Sequence, residues 1–230
     1  MEAAALVAAA GAGLRMNTTT LKQYLMLEGV PVLARSLKIF LDHPAVKEII
    51  AVIPPGDADA VAGLLKPYCP LNRVSLVEGG ATRRESVSRG LKAITSDAGL
   101  ICIHDAARPL ASAGLLDNLF EAALRWGAAV PVLTLSDTVK EIDNDGFVRL
   151  TPERDKLRLV QTPQVFLRQL IMRAYEDALT GNITSTDDAS LVEYLGEPVM
   201  TIPGEPANLK ITSPHDLLLA SLMLKGAVKN

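Results

Sequence analysis

The chain carries a glycine-containing loop with two cationic residues near its N-terminus. The stretch AAAGAGLRMNTTTLKQYL, residues 8–25, follows a run of small apolar residues and contains Gly11, Gly13, Arg15 and Lys22. Successive backbone N–H groups form a concavity that binds phosphate oxygens, and Arg and Lys side chains near the same anion strengthen that binding. The loop therefore indicates a triphosphate site. A tight turn with two solvated cations is the alternative at this point.

A dinucleotide-binding loop is a second interpretation of the same glycines. GAGLRM begins like GxGxxG, but Met16 occupies the position of the third glycine. The following MNTTT is polar and β-branched, so it starts a helix poorly. The next strand ends in Pro54 and Pro55 rather than in the acid that binds a ribose. An NAD(P)-dependent oxidoreductase is therefore a distant alternative.

A second glycine-containing segment, GGATRRESV, follows the predicted strand at 73–80. It places Gly80 before Arg83 and Ser86, at the start of a predicted helix with Thr82 as its N-cap. A glycine lets a base or a ribose lie against the backbone, and the start of a helix favours a bound anion. We expect a nucleotide contact here, with an ordinary capped helix as the alternative.

Two further charged segments are candidates for substrate contacts at strand ends, where open α/β sheets bind their ligands. HDAARP places Asp105 and Arg108 where a carboxylate can orient a sugar hydroxyl or help to hold a metal, and a guanidinium can bind phosphate. NLKITSP is expected to place Lys210 on a short strand, ahead of a helix capped by Ser213. An ion pair that fixes a turn and a lysine that extends over apolar surface are the alternatives. His104 is expected to be packed rather than to act as a base.

The elements that must position these residues alternate along the chain. Predicted strands lie at 5–11, 48–55, 73–80, 100–109, 128–133 and 198–204. Predicted helices lie at 31–43, 57–68, 82–94, 112–126, 166–180, 188–195 and 213–228. Continuous apolar strands that alternate with helices indicate an α/β fold, a Rossmann-like and mostly parallel twisted sheet with helices on both faces.

Residues 134–160 break this alternation. They combine alternating strand patterns, dense charge and a turn at Asn144, Asp145 and Gly146, which predicts a protruding β-arm. A hairpin with so few apolar residues cannot form a core of its own. We therefore expect the arm to pack against a second subunit and to be the dimerisation element of a homodimer.

Composition excludes several classes of protein. The net charge of −3 and the 4% of aromatic residues disfavour a nucleic-acid partner. No apolar run reaches the length of a membrane span, and the start of the chain lacks the pattern of a signal peptide. Cys69 and Cys102 have no partners at zinc-ligand spacing, which favours a reducing, cytoplasmic location.

Taken together and in order, seven segments resemble the 2-C-methyl-D-erythritol 4-phosphate cytidylyltransferase family of the non-mevalonate isoprenoid pathway. They are AAAGAGLRM with LKQYL, GG with RRESV, HDAARP, DTVK, TPQVF, TDDAS and NLKIT, and the resemblance runs from about residue 3 to 225. The chain departs from the family at Leu21, where a proline is usual, and at Ala81, where relatives often carry an acid.

The resemblance implies a single nucleotidyltransferase domain of the nucleotide-diphospho-sugar transferase type over residues 1–230. It also implies transfer of CMP from CTP to 2-C-methyl-D-erythritol 4-phosphate, with Mg²⁺ bound mainly through the CTP phosphates and with no assigned protein ligand. The acceptor phosphate would attack the α-phosphorus in line and release pyrophosphate. A ribitol- or ribulose-5-phosphate cytidylyltransferase is the close alternative.

The resemblance also assigns roles to residues at matching positions. The catalytic residues implied are Arg15, Lys22, Arg154 and Lys210, with Arg154 reaching across a dimer from the arm. The nucleotide-binding residues implied are Ala9, Ala10, Gly11, Gly13, Gly80, Arg83 and Ser86. The acceptor-binding residues implied are Asp105, Arg108, Thr138 and Thr186.

Overall fold

A computed structural model describes residues 1–11, 21–180 and 185–226 of the chain. Its strands are β1 Ala3–Ala8, β2 Met26–Leu27, β3 Val30–Pro31, β4 Val46–Ile53, β5 Ser75–Glu78, β6 Leu100–Asp105, β7 Ala128–Thr134, β8 Glu141–Ile142, β9 Val148–Leu150, β10 Arg158–Val160, β11 Gln164–Leu167 and β12 Met200–Pro203. Its α-helices are α1 Val32–Asp42, α2 Ala58–Leu65, α3 Arg83–Lys92, α4 Ala113–Trp126, α5 Arg168–Thr180, α6 Ala189–Tyr194 and α7 Pro214–Leu224. Gly13, Arg15 and the end of the predicted last helix lie outside the described residues.

The central sheet has the strand order β10-β7-β11-β6-β1-β4-β5, with β12 paired to β7. Strand β1 runs parallel to β4 and β6, β4 runs parallel to β5, and β12 runs parallel to β7. Strands β10 and β11 are antiparallel to their neighbours. The predicted α/β fold with a mostly parallel sheet is confirmed.

Helices cover both faces of the sheet because its central strand is apolar on both sides. Ala5 and Val7 of β1 face one core cluster, which contains Leu37 and Phe40 of α1 and side chains of α4. Leu6 faces the other cluster, with side chains of α3 and α5. Both faces are thus withdrawn from water, which leaves the ends of the strands as the places for a ligand.

Two expectations about local structure are wrong. The helix expected from residue 166 is preceded by strand β11, whose Val165 and Phe166 pair antiparallel with β6 and β7. Its apolar residues continue into the helical pattern of α5, which hides the boundary. Lys210 is not on a strand, because the backbone between β12 and α7 has no regular secondary structure.

The segment predicted as a β-arm contains a short hairpin. Strands β8 and β9 pair with each other, around the turn that contains Gly146, while β10 joins β7 of the central sheet. The hairpin exposes apolar side chains, among them Ile142, Phe147 and Val148. Such a surface suits burial against another chain.

No helix in the described part of the chain is both long and apolar enough to cross a membrane.

Candidate active site

A cavity of about 230 Å³ lies at the carboxyl ends of β1, β5 and β6. It is lined by Ala8, Ala9, Ala10, Gly11, Lys22, Gln23, Gly80, Ala81, Thr82, Arg83, Ser86, Asp105, Ala106, Ala107 and Lys210. Four segments that are far apart in the sequence therefore meet there. The cavity brings together these predicted site residues: Ala9, Ala10, Gly11, Lys22, Gly80, Arg83, Ser86, Asp105 and Lys210.

The Asp105 carboxylate, at the end of β6, is surrounded by three cationic side chains. Its Oδ2 lies 2.7 Å from Nζ of Lys210 and 3.8 Å from Nε of Arg108, and its Oδ1 lies 3.5 Å from Nη2 of Arg83. Burial alone would raise the pKa of Asp105, but the three cations hold that pKa well below its usual range. The carboxylate is therefore ionised at neutral pH and balances part of the positive charge of the cavity.

The Arg83 guanidinium, at the start of α3, is held by a second carboxylate. Its Nη1 and Nη2 donate to Oδ1 and Oδ2 of Asp188 at 2.8 and 2.6 Å. Asp188 is fully buried and also accepts a 2.5 Å hydrogen bond from the Tyr175 hydroxyl. Burial lowers the pKa of Arg83, but Asp188 and Asp105 raise it above its ordinary value. Arg83 thus stays charged in one fixed orientation at the cavity wall.

The turn between β5 and α3 packs closely against the loop that follows β1. Ser86 Oγ accepts from the Gly80 N–H at 3.0 Å and donates to the Thr82 carbonyl at 2.8 Å. A Cβ on Gly79 would lie 2.6 Å from Cβ of Ala10, so only glycine lets the two loops approach this closely. Ser86 therefore shapes the turn, and Thr82 caps α3 as predicted.

The neighbouring residue Gln23 holds Lys22 at the cavity. It begins a short 3₁₀ helix with Gln23 and Tyr24. The buried Gln23 amide donates to the carbonyls of Ala9 and Gly11 at 2.6 and 3.3 Å. This ties the segment around Lys22 to the loop after β1.

Comparisons with known proteins identify the family of this chain. The sequence profile of the IspD family, described as 2-C-methyl-D-erythritol 4-phosphate cytidylyltransferase, matches residues 3–226. The chain belongs to the 2-C-methyl-D-erythritol 4-phosphate cytidylyltransferase family.

Relatives of that name share about two fifths of their residues with this family member. The protein of Pelotomaculum thermopropionicum is 42% identical over 97% of this chain and 94% of its own length. The protein of Syntrophus aciditrophicus is 41% identical over 96% of this chain and 95% of its own length.

Solved structures agree in fold over the same length. The 4-diphosphocytidyl-2C-methyl-D-erythritol synthase of Anaerococcus prevotii superimposes with a TM-score of 0.85 at 35% identity, covering 97% of this chain and 96% of its own. The 2-C-methyl-D-erythritol 4-phosphate cytidylyltransferase of Thermus thermophilus gives a TM-score of 0.79 at 36% identity, covering 98% of this chain and all of its own.

In this member of the cytidylyltransferase family, His104 is not among the residues that line the cavity. It is fully buried, and its Nε2 and Nδ1 are 2.9 Å from the Arg108 carbonyl and 3.1 Å from Thr162 Oγ1. Burial lowers the pKa of His104 to about 4, so the ring is neutral at pH 7. The expectation that it is packed agrees with this placement.

Four predicted site residues lie outside the cavity lining. Arg108 is mostly buried and donates to the Asn208 carbonyl at 2.8 Å, so it helps to hold the segment of Lys210. Thr138, Arg154 and Thr186 are exposed, and Arg154 donates to a carbonyl of its own segment. Their roles, and those of Gly13 and Arg15, stay predictions.

The sequence analysis singled out neither Gln23, which lines the cavity, nor Asp188, which holds Arg83 at the cavity wall. Asp188 belongs to the TDDAS segment, from which only Thr186 was singled out, and Gln23 follows Lys22 directly. The adjacent acids Asp187 and Asp188 do not by themselves indicate burial, and nothing local in the sequence names Arg83 as the partner of Asp188.

Proposed function

We propose that the protein transfers CMP from CTP to 2-C-methyl-D-erythritol 4-phosphate and releases pyrophosphate. The observation that carries this proposal is the meeting of Lys22 and Lys210, from opposite ends of the chain, in one cavity with a glycine-containing loop. The names of the full-length relatives supply the two substrates.

The reaction needs electrostatic help rather than a base. An oxygen of the acceptor phosphate, already anionic, attacks the α-phosphorus of CTP, and the bond to the β-phosphate breaks as pyrophosphate leaves. The two substrates are polyanions that repel each other, and prearranged cations lower the activation barrier for their reaction. Lys22, together with Arg15, would stabilise the leaving pyrophosphate, and Lys210 would bring the acceptor phosphate to the α-phosphorus, assisted by Arg154.

The remaining walls of the cavity would select the substrates. Backbone groups of Ala9, Ala10 and Gly11, continuing into Gly13, would bind the triphosphate. Contacts to cytosine or ribose would come from Gly80 and Arg83, in a turn shaped by Ser86. The ionised Asp105 would accept hydrogen bonds from hydroxyls of the acceptor, and Arg108, Thr138 and Thr186 would complete its site.

Mg²⁺ is proposed to enter with CTP. Among the described residues no group of three potential ligands lies together, and Asp105, the carboxylate in the described lining, already faces three cations. The donor set therefore does not form a protein cage, and it suits an ion carried by nucleotide phosphates. When bound, Mg²⁺ neutralises phosphate charge.

A homodimer formed through the β-arm, residues 134–160, is the proposed assembly. The hairpin of β8 and β9 pairs only with itself in the described structure and exposes Ile142 and Phe147, at 61% and 72% of their surface. An arm of this kind gains its stability from burial against a partner.

A cytoplasmic location is proposed as well, without a nucleic-acid or membrane partner. Both Cys69 and Cys102 are buried thiols without a disulfide. Burial raises the pKa of each thiol, which keeps them protonated and unreactive. Unpaired cysteines are usual in a reducing compartment.

The test is a pyrophosphate-release assay with CTP, UTP, ATP or GTP, each combined with 2-C-methyl-D-erythritol 4-phosphate or ribitol 5-phosphate. We expect turnover with CTP and methylerythritol phosphate. Faster turnover with ribitol 5-phosphate would move the assignment to the close alternative. Absence of pyrophosphate in every combination, with NADH binding seen by fluorescence, would overturn the proposal.

A further inference from the structure

The segment that carries Lys210 has no regular secondary structure of its own. It runs from Gly204, just after β12, to Thr212, just before Ser213 caps α7. Its backbone must be held by other parts of the chain if the Lys210 ammonium is to stay 2.7 Å from Asp105.

The buried carboxamide of Gln161 supplies much of that hold. Its Nε2 donates to the carbonyls of Glu205 and Asn208 at 2.9 and 3.1 Å, and its Oε1 accepts from the Glu205 N–H at 3.1 Å. One side chain thus makes three hydrogen bonds to the backbone of this segment. Gly204 passes so close that a Cβ there would lie 2.5 Å from Oε1 of Gln161.

Further bonds fix the backbone on both sides of Lys210. The buried Asn208 donates from Nδ2 to the Thr162 carbonyl at 2.8 Å, and its own carbonyl accepts from Arg108 at 2.8 Å. On the other side, the Ile211 N–H donates at 2.8 Å to a carbonyl in the loop after β6. Lys210 therefore lies between two anchored residues, and Gln161 contributes to one of the anchors.

We propose that Gln161 is a positioning residue for Lys210. Its carboxamide fixes the turn at 205–208 and, through it, the place of the Lys210 ammonium against Asp105. This proposal rests on the proposed function, in which Lys210 brings the acceptor phosphate to the α-phosphorus. A misplacement of a reacting group by about 1 Å can cost about a hundredfold in rate. Gln161 is therefore expected to affect transfer through the position of Lys210, without touching either substrate.

The position of Lys210 can be measured without turnover. Reductive ¹³C-methylation gives each lysine an NMR signal, and the Lys210 signal is assigned by its loss in Lys210→Ala. Gln161→Leu should move that signal towards the position of exposed lysines. The control Arg168→Met removes a side-chain bond to the Ser96 carbonyl at the other end of the sheet and should leave the signal in place. An unchanged signal in Gln161→Leu would overturn the proposal, whether or not the protein uses CTP.

A double-mutant cycle then tests the link to catalysis. We expect Gln161→Leu to lower kcat about tenfold and to change the KM for CTP by less than about twofold. In a Lys210→Ala background the same change should cost less than about twofold. Equal losses in both backgrounds would show that Gln161 acts through general stability and would overturn the proposal.

If Gln161→Leu does not fold, a second variant tests the same proposal. In Gly204→Ala the new Cβ would lie 2.5 Å from Oε1 of Gln161, so this variant displaces the same carboxamide and enters the same cycle with the same expectations. Turnover by the wild-type protein tests the proposed function separately, because the NMR result does not depend on it.

Discussion

The two terminal nitrogens of Arg83 donate to the two carboxylate oxygens of Asp188, at 2.8 and 2.6 Å, across a stretch of sequence that spans most of the sheet. This pair joins the first turn of α3, at the cavity wall, to the residue that precedes α6. The start of α3 at the cavity wall and the segment that contains Thr186 are therefore mechanically connected.

Removal of this connection should weaken both the fold and the use of CTP. Asp188→Asn leaves the partly exposed Arg83 cation without its buried counter-charge, so we expect a loss of about 2–3 kcal/mol in the free energy of unfolding. We also expect the KM for CTP to rise about tenfold, measured by pyrophosphate release. The control Glu197→Gln breaks an exposed pair with Arg173 and should change stability by less than about 1 kcal/mol. Equal stability of the two variants would contradict the structural role of Asp188.

Gly79 is expected to tolerate no side chain. In Gly79→Ala the new Cβ would lie 2.6 Å from Ala10 Cβ and 2.7 Å from Ser86 Oγ, so the two loops must separate. We expect a loss of about 1–3 kcal/mol by denaturant unfolding, as for other overpacked sites. Gly63→Ala is the matched control, because its Cβ meets nothing within 4 Å inside α2 and should stabilise by about 0.5–1 kcal/mol. A neutral Gly79→Ala would mean that the loops do not meet as described.

Lys22→Ala should keep the fold and lose activity. Lys22 lines the cavity, and loss of one cation that stabilises the transition state costs about a hundredfold in rate, so turnover should fall at least about tenfold. The control Lys66→Ala removes an exposed lysine at the end of α2 and should keep wild-type turnover. Circular dichroism and thermal melts establish that both variants fold. Unchanged turnover in Lys22→Ala would remove Lys22 from the mechanism.

His104 should make the stability of the protein depend on pH. Burial lowers its pKa from 6.5 to about 4, so the unfolded chain binds a proton in this range and the native state does not. Above about pH 6.5 this effect costs the protein no stability. As the pH falls from there towards 4, the free energy of unfolding decreases by about 3 kcal/mol in total. His104→Gln should flatten this slope in urea titrations between about pH 5.5 and 6.5, where carboxylates contribute little. A slope equal to that of the wild type would show that His104 is not the titrating group.

Phe147→Asp should dissociate the proposed homodimer. Phe147 is 72% exposed at the turn of the hairpin, where a carboxylate would be buried without a partner in a dimer. Sedimentation velocity should show a dimer for the wild type and a monomer for the variant at the same concentration. Trp126→Asp is the control, because Trp126 is an exposed aromatic residue outside the arm and its replacement should leave the dimer intact. A dimer that survives Phe147→Asp would place the interface elsewhere.

Local patterns in the sequence were enough to predict most of the fold. Ser213 caps α7 through a capping box with Asp216, three residues on, and Thr82 accepts a hydrogen bond from the Glu85 N–H in the same way. Such signals act between neighbours in the sequence and can be recognised without a structure. Strand β11 was missed because its apolar residues merge with the pattern of the helix that follows.

The lining of the cavity was predictable where a motif places its own residue at a strand end, as for Asp105 and Gly80. The residues that hold the lining in place could not be predicted from the sequence. Among the described residues, the carboxamide of Gln161 binds backbone atoms, and Asp188 binds a guanidinium more than a hundred positions earlier. Because side-chain contacts of this kind leave no periodic or local signature, the sequence pattern predicts the lining of the cavity but not its supports.

The contact between Asp105 and Lys210 has a consequence for selectivity among anions. A small inorganic anion that approaches the ammonium must compete with a carboxylate already in place at 2.7 Å, and it offers nothing to that carboxylate in return. A sugar-alcohol phosphate would offer hydroxyl donors to Asp105 and a negative charge to Lys210. If Asp105 and Lys210 bind the acceptor as proposed, their ion pair would therefore favour molecules that carry both hydroxyl groups and a phosphate over free phosphate or sulfate.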